Sequence, residues 1–182
     1  MINKNDLNEY FFSGIKNKKY LKIGVEHEKF ILDKDSFLPR SYDENNGIRE
    51  ILEKLSSAGW TPGYDDNQKT IVALTKDRES ITLEPGGQIE LSGAPLDNIH
   101  ETCEETTNHL RELKKLGEEF NFILLGMGVE PNLTLDDLPW MPKYRYKIMQ
   151  DEVAKYVAEQ IYRLCSQKDG VEAAIPGGDN VI

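Results

Sequence analysis

Two stretches decide the fold: Leu21-Lys22-Ile23-Gly24-Val25-Glu26-His27-Glu28-Lys29-Phe30-Ile31 and Ile81-Thr82-Leu83-Glu84-Pro85-Gly86-Gly87-Gln88-Ile89-Glu90-Leu91. Both read as β-strand, in which successive side chains point to opposite faces. In the first, Leu21, Ile23, Val25 and Ile31 share one side, and Glu26 and Glu28 project together from the other. In the second, Ile81, Leu83, Ile89 and Leu91 oppose Glu84, Gln88 and Glu90, with Pro85 and the glycine pair placed to interrupt the register. A sheet face that collects four carboxylates is electrostatically costly unless water or a divalent cation compensates it.

The alternation alone also describes a strand with one face on the core and the other wet. The Pro-Gly-Gly insertion asks for more, because these residues weaken a strand interior and mark a bulge or a close backbone approach by a ligand. Hard cations such as magnesium take oxygen ligands of this kind, usually beside substrate phosphates. Glu26, Glu28, Glu84 and Glu90 are therefore candidate metal ligands. Gln88 shares their face as a candidate ligand or substrate contact, and Gly86 and Gly87 offer bare backbone to a substrate.

Outward from these segments, Leu7, Tyr10, Phe11 and Ile15 stand at helical spacing behind Asn5 or Asp6 as a cap. Ile48, Ile51, Leu52 and Leu55 mark a second helix closed by Gly59. Trp60 to Tyr64 and Ile71 to Thr75 read as short strands, and Lys76-Asp77-Arg78-Glu79 as the turn of a hairpin. A long helix is expected from about Leu96 to Glu119, burying Leu96, Ile99, Cys103, Leu110 and Leu113. His100 and His109 then fall on its surface, while His27 lies on the apolar side of the first strand. Phe122 to Val129 reads as a buried strand and Pro131 to Pro142 as a loop. Val153, Val157, Ile161 and Leu164 give the remaining residues one amphipathic helix. Strands interspersed with helices and adjacent hairpins define an α+β fold, a largely antiparallel sheet with helices on one face.

Net charge of −10 argues against a nucleic-acid partner, which needs a basic surface. No apolar run approaches the roughly 20 residues of a membrane helix, so no membrane partner is expected. Asp6 and Glu9 do not fit a signal peptide. Two cysteines, Cys103 and Cys165, without ligand spacing, point to a reduced, cytoplasmic protein. Gly126-Met127-Gly128 is too short for a dinucleotide fingerprint and no P-loop is present. No side chain qualifies as a catalytic nucleophile, since no Ser–His–Asp or Cys–His pattern emerges. Lys143, Arg145 and Lys147 alternate along a segment read as extended, which puts three cations on one face. They either guard an exposed sheet edge or, Arg145 in particular, meet a phosphate or substrate carboxylate.

Gly24-Val25-Glu26-His27-Glu28-Lys29-Phe30 and Leu83-Glu84-Pro85-Gly86-Gly87-Gln88-Ile89-Glu90-Leu91-Ser92-Gly93-Ala94-Pro95 strongly resemble the plant and proteobacterial type of glutamate–cysteine ligase. The likeness continues through Ile99-His100-Glu101-Thr102-Cys103, Leu125-Gly126-Met127-Gly128 and Trp140-Met141-Pro142-Lys143-Tyr144-Arg145-Tyr146-Lys147-Ile148-Met149. It covers roughly residues 7 to 149, so residues 1–149 read as the N-terminal part of such a catalytic domain and 150–182 as an unrecognised tail. The resemblance implies a glutamine-synthetase-like fold and the joining of the glutamate side-chain carboxyl to the amine of cysteine. That reaction uses ATP and Mg2+ and passes through an acyl phosphate, as the first step of glutathione synthesis. Glutamate, cysteine and ATP are the implied partners.

Members of the family are much longer, so a non-catalytic remnant and a carboxylate–amine ligase with another amine acceptor stand as alternatives. Half of such a site is expected to turn over little by itself, and an exposed sheet edge to promote self-association.

Overall fold

Leu83 and Ile89 pair across a tight turn, and the sheet is organised around that hairpin. The computed structural model describes residues 3–65, 69–131 and 133–149, with Glu152 and Tyr156. In chain order the elements are α1 (Lys4–Ser13), β1 (Glu26–Asp33), α2 (Ile48–Ser57), β2 (Thr61–Tyr64), β3 (Ile71–Lys76) and β4 (Glu79–Glu84). They continue with β5 (Gln88–Ser92), α3 (Ile99–Phe120), β6 (Phe122–Leu125) and α4 (Tyr144–Ile148). The six strands form one antiparallel sheet in the order β2-β3-β4-β5-β1-β6. This is the expected α+β architecture.

The second deciding stretch is two strands rather than one. Pro85–Gly87 forms a 3-10 turn that folds β5 back on β4, setting Glu84 opposite Gln88, Leu83 opposite Ile89 and Ile81 opposite Leu91. Because opposed residues in an antiparallel pair share a face, the apolar and polar sets expected from alternation survive the reversal. The turn explains the glycines. Gly86 and Gly87 have φ of 76° and 78°, which side chains with a Cβ rarely adopt. A Cβ on Gly86 would also meet Phe30 Cε1 at 3.0 Å, and one on Gly87 the Arg40 carbonyl oxygen at 3.1 Å.

One face of the sheet carries Ile31, Ile81, Leu83, Ile89 and Leu91, all buried against α2 and α3. Helix α2 supplies Ile48, Ile51, Leu52 and Leu55, each fully buried at the spacing read from sequence. Full burial of such a side chain is worth roughly 1.5–3 kcal/mol, so this one helix face contributes a large share of the core's stabilisation. Gly59, with φ of 110°, follows its end as expected.

Several expectations are corrected. Strand β1 begins only at Glu26, preceded by an isolated bridge between Ile23 and Leu96, and Leu21 and Ile23 are exposed. Helix α1, capped by Asn3 with Asp6 completing a capping box, buries none of its residues. In α3 the buried positions are Thr102, His109, Leu113, Leu116 and Gly117. Ile99, Cys103 and Leu110 are exposed instead, and the last two each follow a buried residue, Thr102 and His109, so that they lie about 100° further round the helix. Strand β6 stops at Leu125 on the sheet edge, leaving Met127 and Val129 exposed. The segment carrying Lys143, Arg145 and Lys147 is helical, because burying Tyr146 and Met141 in the core turns the chain there. The helix expected from Val153 to Leu164 lies outside the described residues.

Gly87→Ala is expected to cost about 1–3 kcal/mol of stability, the usual penalty for a forced positive φ. Urea unfolding measures this. A variant as stable as the parent would mean that the hairpin tolerates another turn.

Candidate functional site: the acidic face of the sheet

Away from the core, the register gathers the candidate carboxylates. Glu28 is paired with Glu90 and Glu26 with Ser92 across β1 and β5, and Glu90 with Thr82 and Gln88 with Glu84 across β5 and β4. Glu26, Glu28, Glu84, Gln88 and Glu90 thus occupy one face of three neighbouring strands. Directly opposed residues have Cα atoms about 4.5–5.5 Å apart, and like charges in such a pair destabilise the sheet.

The carboxylates differ in surroundings. Glu26 and Glu28 are exposed. Glu90 is half-buried and accepts hydrogen bonds from Thr82 Oγ1 and Ser92 Oγ, both at 3.1 Å, which fix its orientation. Glu84 is engaged by cations. Its Oε1 accepts from Arg145 Nη2 at 2.9 Å and lies 3.4 Å from Lys143 Nζ, while its Oε2 is 3.0 Å from the Tyr146 hydroxyl. Arg145 stacks over the Tyr146 ring at 5.1 Å, and Lys143 also donates to the Leu83 carbonyl. Burial pushes the Tyr146 phenol up to about 12 and lowers the Lys143 ammonium from its usual range.

Lys147 does not join this group. Of the three cations, only Lys143, at the extended N-cap of α4, and Arg145 in its first turn reach Glu84 among the described residues, so the group expected together is split. Gln88 is buried; its Nε2 donates to the Pro85 carbonyl at 3.4 Å, and its Oε1 is buried without a hydrogen-bond partner among the described residues. Gly86 and Gly87 are buried beneath Phe30, Leu138, Ile48 and Pro139, so the backbone expected to meet a substrate is closed over by side chains.

Among the described residues no group of three or more His, Cys, Asp or Glu side chains is arranged to hold a metal ion unaided. Magnesium does not require one, since it usually keeps several waters and binds one or two carboxylates together with phosphates. The opposed pair Glu28 and Glu90, with Glu26 beside it, supplies hard oxygen donors of that kind. Glu84 fits less well, because a metal there would first have to displace Arg145 and Lys143.

Behind the acidic strand lies a buried polar group that strand parity only partly foretold. His27 and Lys29 point to the core side, where His27 Nε2 meets Thr106 Oγ1 at 3.2 Å. Lys29 is buried, donates to the His27 carbonyl at 3.3 Å, and has its ammonium lowered by burial to about 8. His109, expected on the surface, is also buried, with neither ring nitrogen hydrogen-bonded among the described residues. Its ionisation is depressed to about 4 by burial and then by the charges of Lys29 and His27. Helical spacing with Leu113 and Leu116 was the signal that could have placed it inside.

The register defines an acidic sheet face backed by helices, and comparison with known proteins says which family carries it. Residues 22–175 match Glutamate-cysteine ligase family 2 (GCS2), and the chain belongs to that family. It is 41% identical over 169 residues to glutamate–cysteine ligase B, chloroplastic, of Oryza sativa subsp. japonica, covering 91% of this chain and 33% of the relative. It is 40% identical over 155 residues to the chloroplastic glutamate–cysteine ligase of Brassica juncea, covering 85% and 29%. For the Arabidopsis thaliana chloroplastic enzyme the values are 40% over 158 residues, 85% and 29%. The chain therefore spans about a third of the length of these curated relatives. The family match runs past Met149, where the likeness read from sequence ended.

For His109 the acid side of the stability profile is informative. Between its ordinary value of 6.5 and about 4, the unfolded chain takes a proton that the fold refuses. Stability should fall as pH drops through that window, and be unaffected by this group above it. His109→Gln is expected to lose less stability than the parent between about pH 7 and about pH 4.5 in urea unfolding. Equal losses would show that the imidazole is not the group refusing the proton.

Proposed function

We propose that the acidic face takes part in ATP- and magnesium-dependent ligation of the glutamate side-chain carboxyl to the amine of cysteine, through an acyl phosphate. The observation that carries this reading is the opposed pair Glu28 and Glu90, flanked by Glu26, on a chain of this ligase family. Glu26, Glu28 and Glu90 would hold Mg2+, with Glu84 the weaker fourth ligand because Arg145 and Lys143 already occupy it. When bound, the metal supplies the positive charge that lets a carboxylate approach a terminal phosphate.

The protein's own groups then have defined tasks. Arg145, braced by Glu84 and the Tyr146 ring but with its side chain 59% exposed, presents a planar fork suited to a substrate carboxylate or phosphate. Glu84 is best read as its positioning partner. Gln88 can donate or accept toward a polar substrate group if its amide turns outward. Gly86 and Gly87 act on the substrate only by shaping the turn that sets Glu84 and Gln88 side by side.

ADP release with glutamate and a panel of amines tests the reading. Selective turnover with cysteine supports it, and selectivity for another amine would make this a different carboxylate–amine ligase. No ADP release with any amine, together with no magnesium binding, would leave a non-catalytic domain.

Magnesium should raise the melting temperature, because a ligand bound only by the native state stabilises it. Glu28→Gln and Glu90→Gln should each raise metal-free stability by roughly 0.2–1 kcal/mol, by relieving cross-strand repulsion, and erase much of the magnesium shift. Thermal unfolding with and without the ion measures both effects. An unchanged magnesium shift in both variants would remove this pair from the site.

A further inference from the structure

On the sheet's other face, between α3 and the β3–β4 turn, lies a cavity of about 670 Å³ that is separate from the acidic face. Asp77, Glu79, Glu101, Glu104, Glu105 and Glu112 line it, against two cationic side chains, Lys76 and Arg78. Glu101, Glu105 and His109 follow one another at i, i+4 and i+8, with Glu112 three residues beyond, so one stripe of α3 faces the opening. His109 is 3% exposed and lines the cavity, yet neither ring nitrogen has a partner among the described residues. The same holds for Glu105 Oε2, although Glu105 Oε1 accepts from Ala94 N at 2.7 Å. Glu79 is held above the ordinary carboxyl range by burial and then by the charge of Glu105. Buried polar atoms left unpaired are costly, and this cavity places an acceptor nitrogen of His109 and Glu105 Oε2 among unbalanced negative charge.

We infer that this cavity binds a linear organic dication, a small alkyl diamine or polyamine, with one ammonium donating to Glu105 and His109 and the other among Asp77, Glu79 and Glu104. A point cation is the poorer match, because Glu101, Glu105 and Glu112 are strung along about three turns of α3. The chain itself shows that a primary ammonium suits the wall, since Lys76 Nζ stands 5.4 Å from the centre of the Trp60 ring. Trp60 is in turn fixed by its Nε1 donating to Glu112 at 3.2 Å.

Calorimetric titration of the whole chain with 1,4-diaminobutane tests this, at an ionic strength of about 0.15 M, where charges more than about 8 Å apart are screened. One saturable site is expected, with affinity lowered at least about tenfold, or about 1.4 kcal/mol, by Glu105→Gln. Glu104→Gln, at an exposed position, should weaken it less without endangering the fold. Glu9→Gln on α1 removes the same charge at a position that does not line the cavity and should leave binding unchanged, and butylamine should bind more weakly than the diamine. Absence of saturable binding would overturn the assignment. So would equal weakening by Glu9→Gln, which would reduce the effect to general attraction by an acidic chain, or full binding retained in both cavity variants.

Discussion

The reversal at Pro85-Gly86-Gly87 is the constraint on which the rest of the structure depends. Two consecutive residues at positive φ fold β5 onto β4 in one register, and that register sends Ile81, Leu83, Ile89 and Leu91 inward and Glu84, Gln88 and Glu90 outward. A slip of one residue would exchange the two sets, burying carboxylates and exposing the core. Strand β1 extends the same division by pairing Lys29 with Ile89 and Glu28 with Glu90. The apolar face is then closed by α2 and α3, and the acidic face is what remains.

The division of faces was legible in the sequence because alternation is a local property that a tight hairpin preserves. Helix α2 was equally legible, since its apolar residues have no polar competitor for the buried positions. The places that escaped are those where a tertiary contact outweighs the local pattern. Lys143, Arg145 and Lys147 alternate as an exposed strand would, but burial of Tyr146 makes the segment helical, and of the three only Lys143 and Arg145 come to rest on Glu84 among the described residues. In α3 the apolar rhythm of Ile99, Cys103 and Leu110 competes with that of Leu113 and Leu116, and the sheet selects the second. Residue type favoured a surface position for His109, and the helix phase overruled it. Of the candidate site, sequence yielded the common face of the five polar residues. It did not yield the cations already resting on Glu84.

Those cations change what the acidic face is. A row of carboxylates alone would repel an anionic substrate, whereas Arg145 and Lys143 give one end of the face a positive border while Glu26 and Glu28 leave the other negative. Charge graded in this way gives the face a field with a direction, so that a ligand of uneven charge would be oriented as well as attracted. Tyr146 joins the two parts of the fold at this border, its ring in the core and its hydroxyl on the Leu83 and Glu84 oxygens.

Helix α1 stands in a different relation to the molecule. Its capping box closes on itself, and Leu7, Tyr10, Phe11 and Phe12 are all more than half exposed. Among the described residues, then, nothing of α1 is buried that its unwinding would have to pull from the sheet. Its amides can exchange hydrogen with solvent by local fraying, on a timescale set by one isolated helix. Those of β5, bonded to a strand on either side, must wait for the whole sheet to open. A single chain thus holds the two ends of the exchange spectrum, and the slow end lies in the strand that carries Glu90.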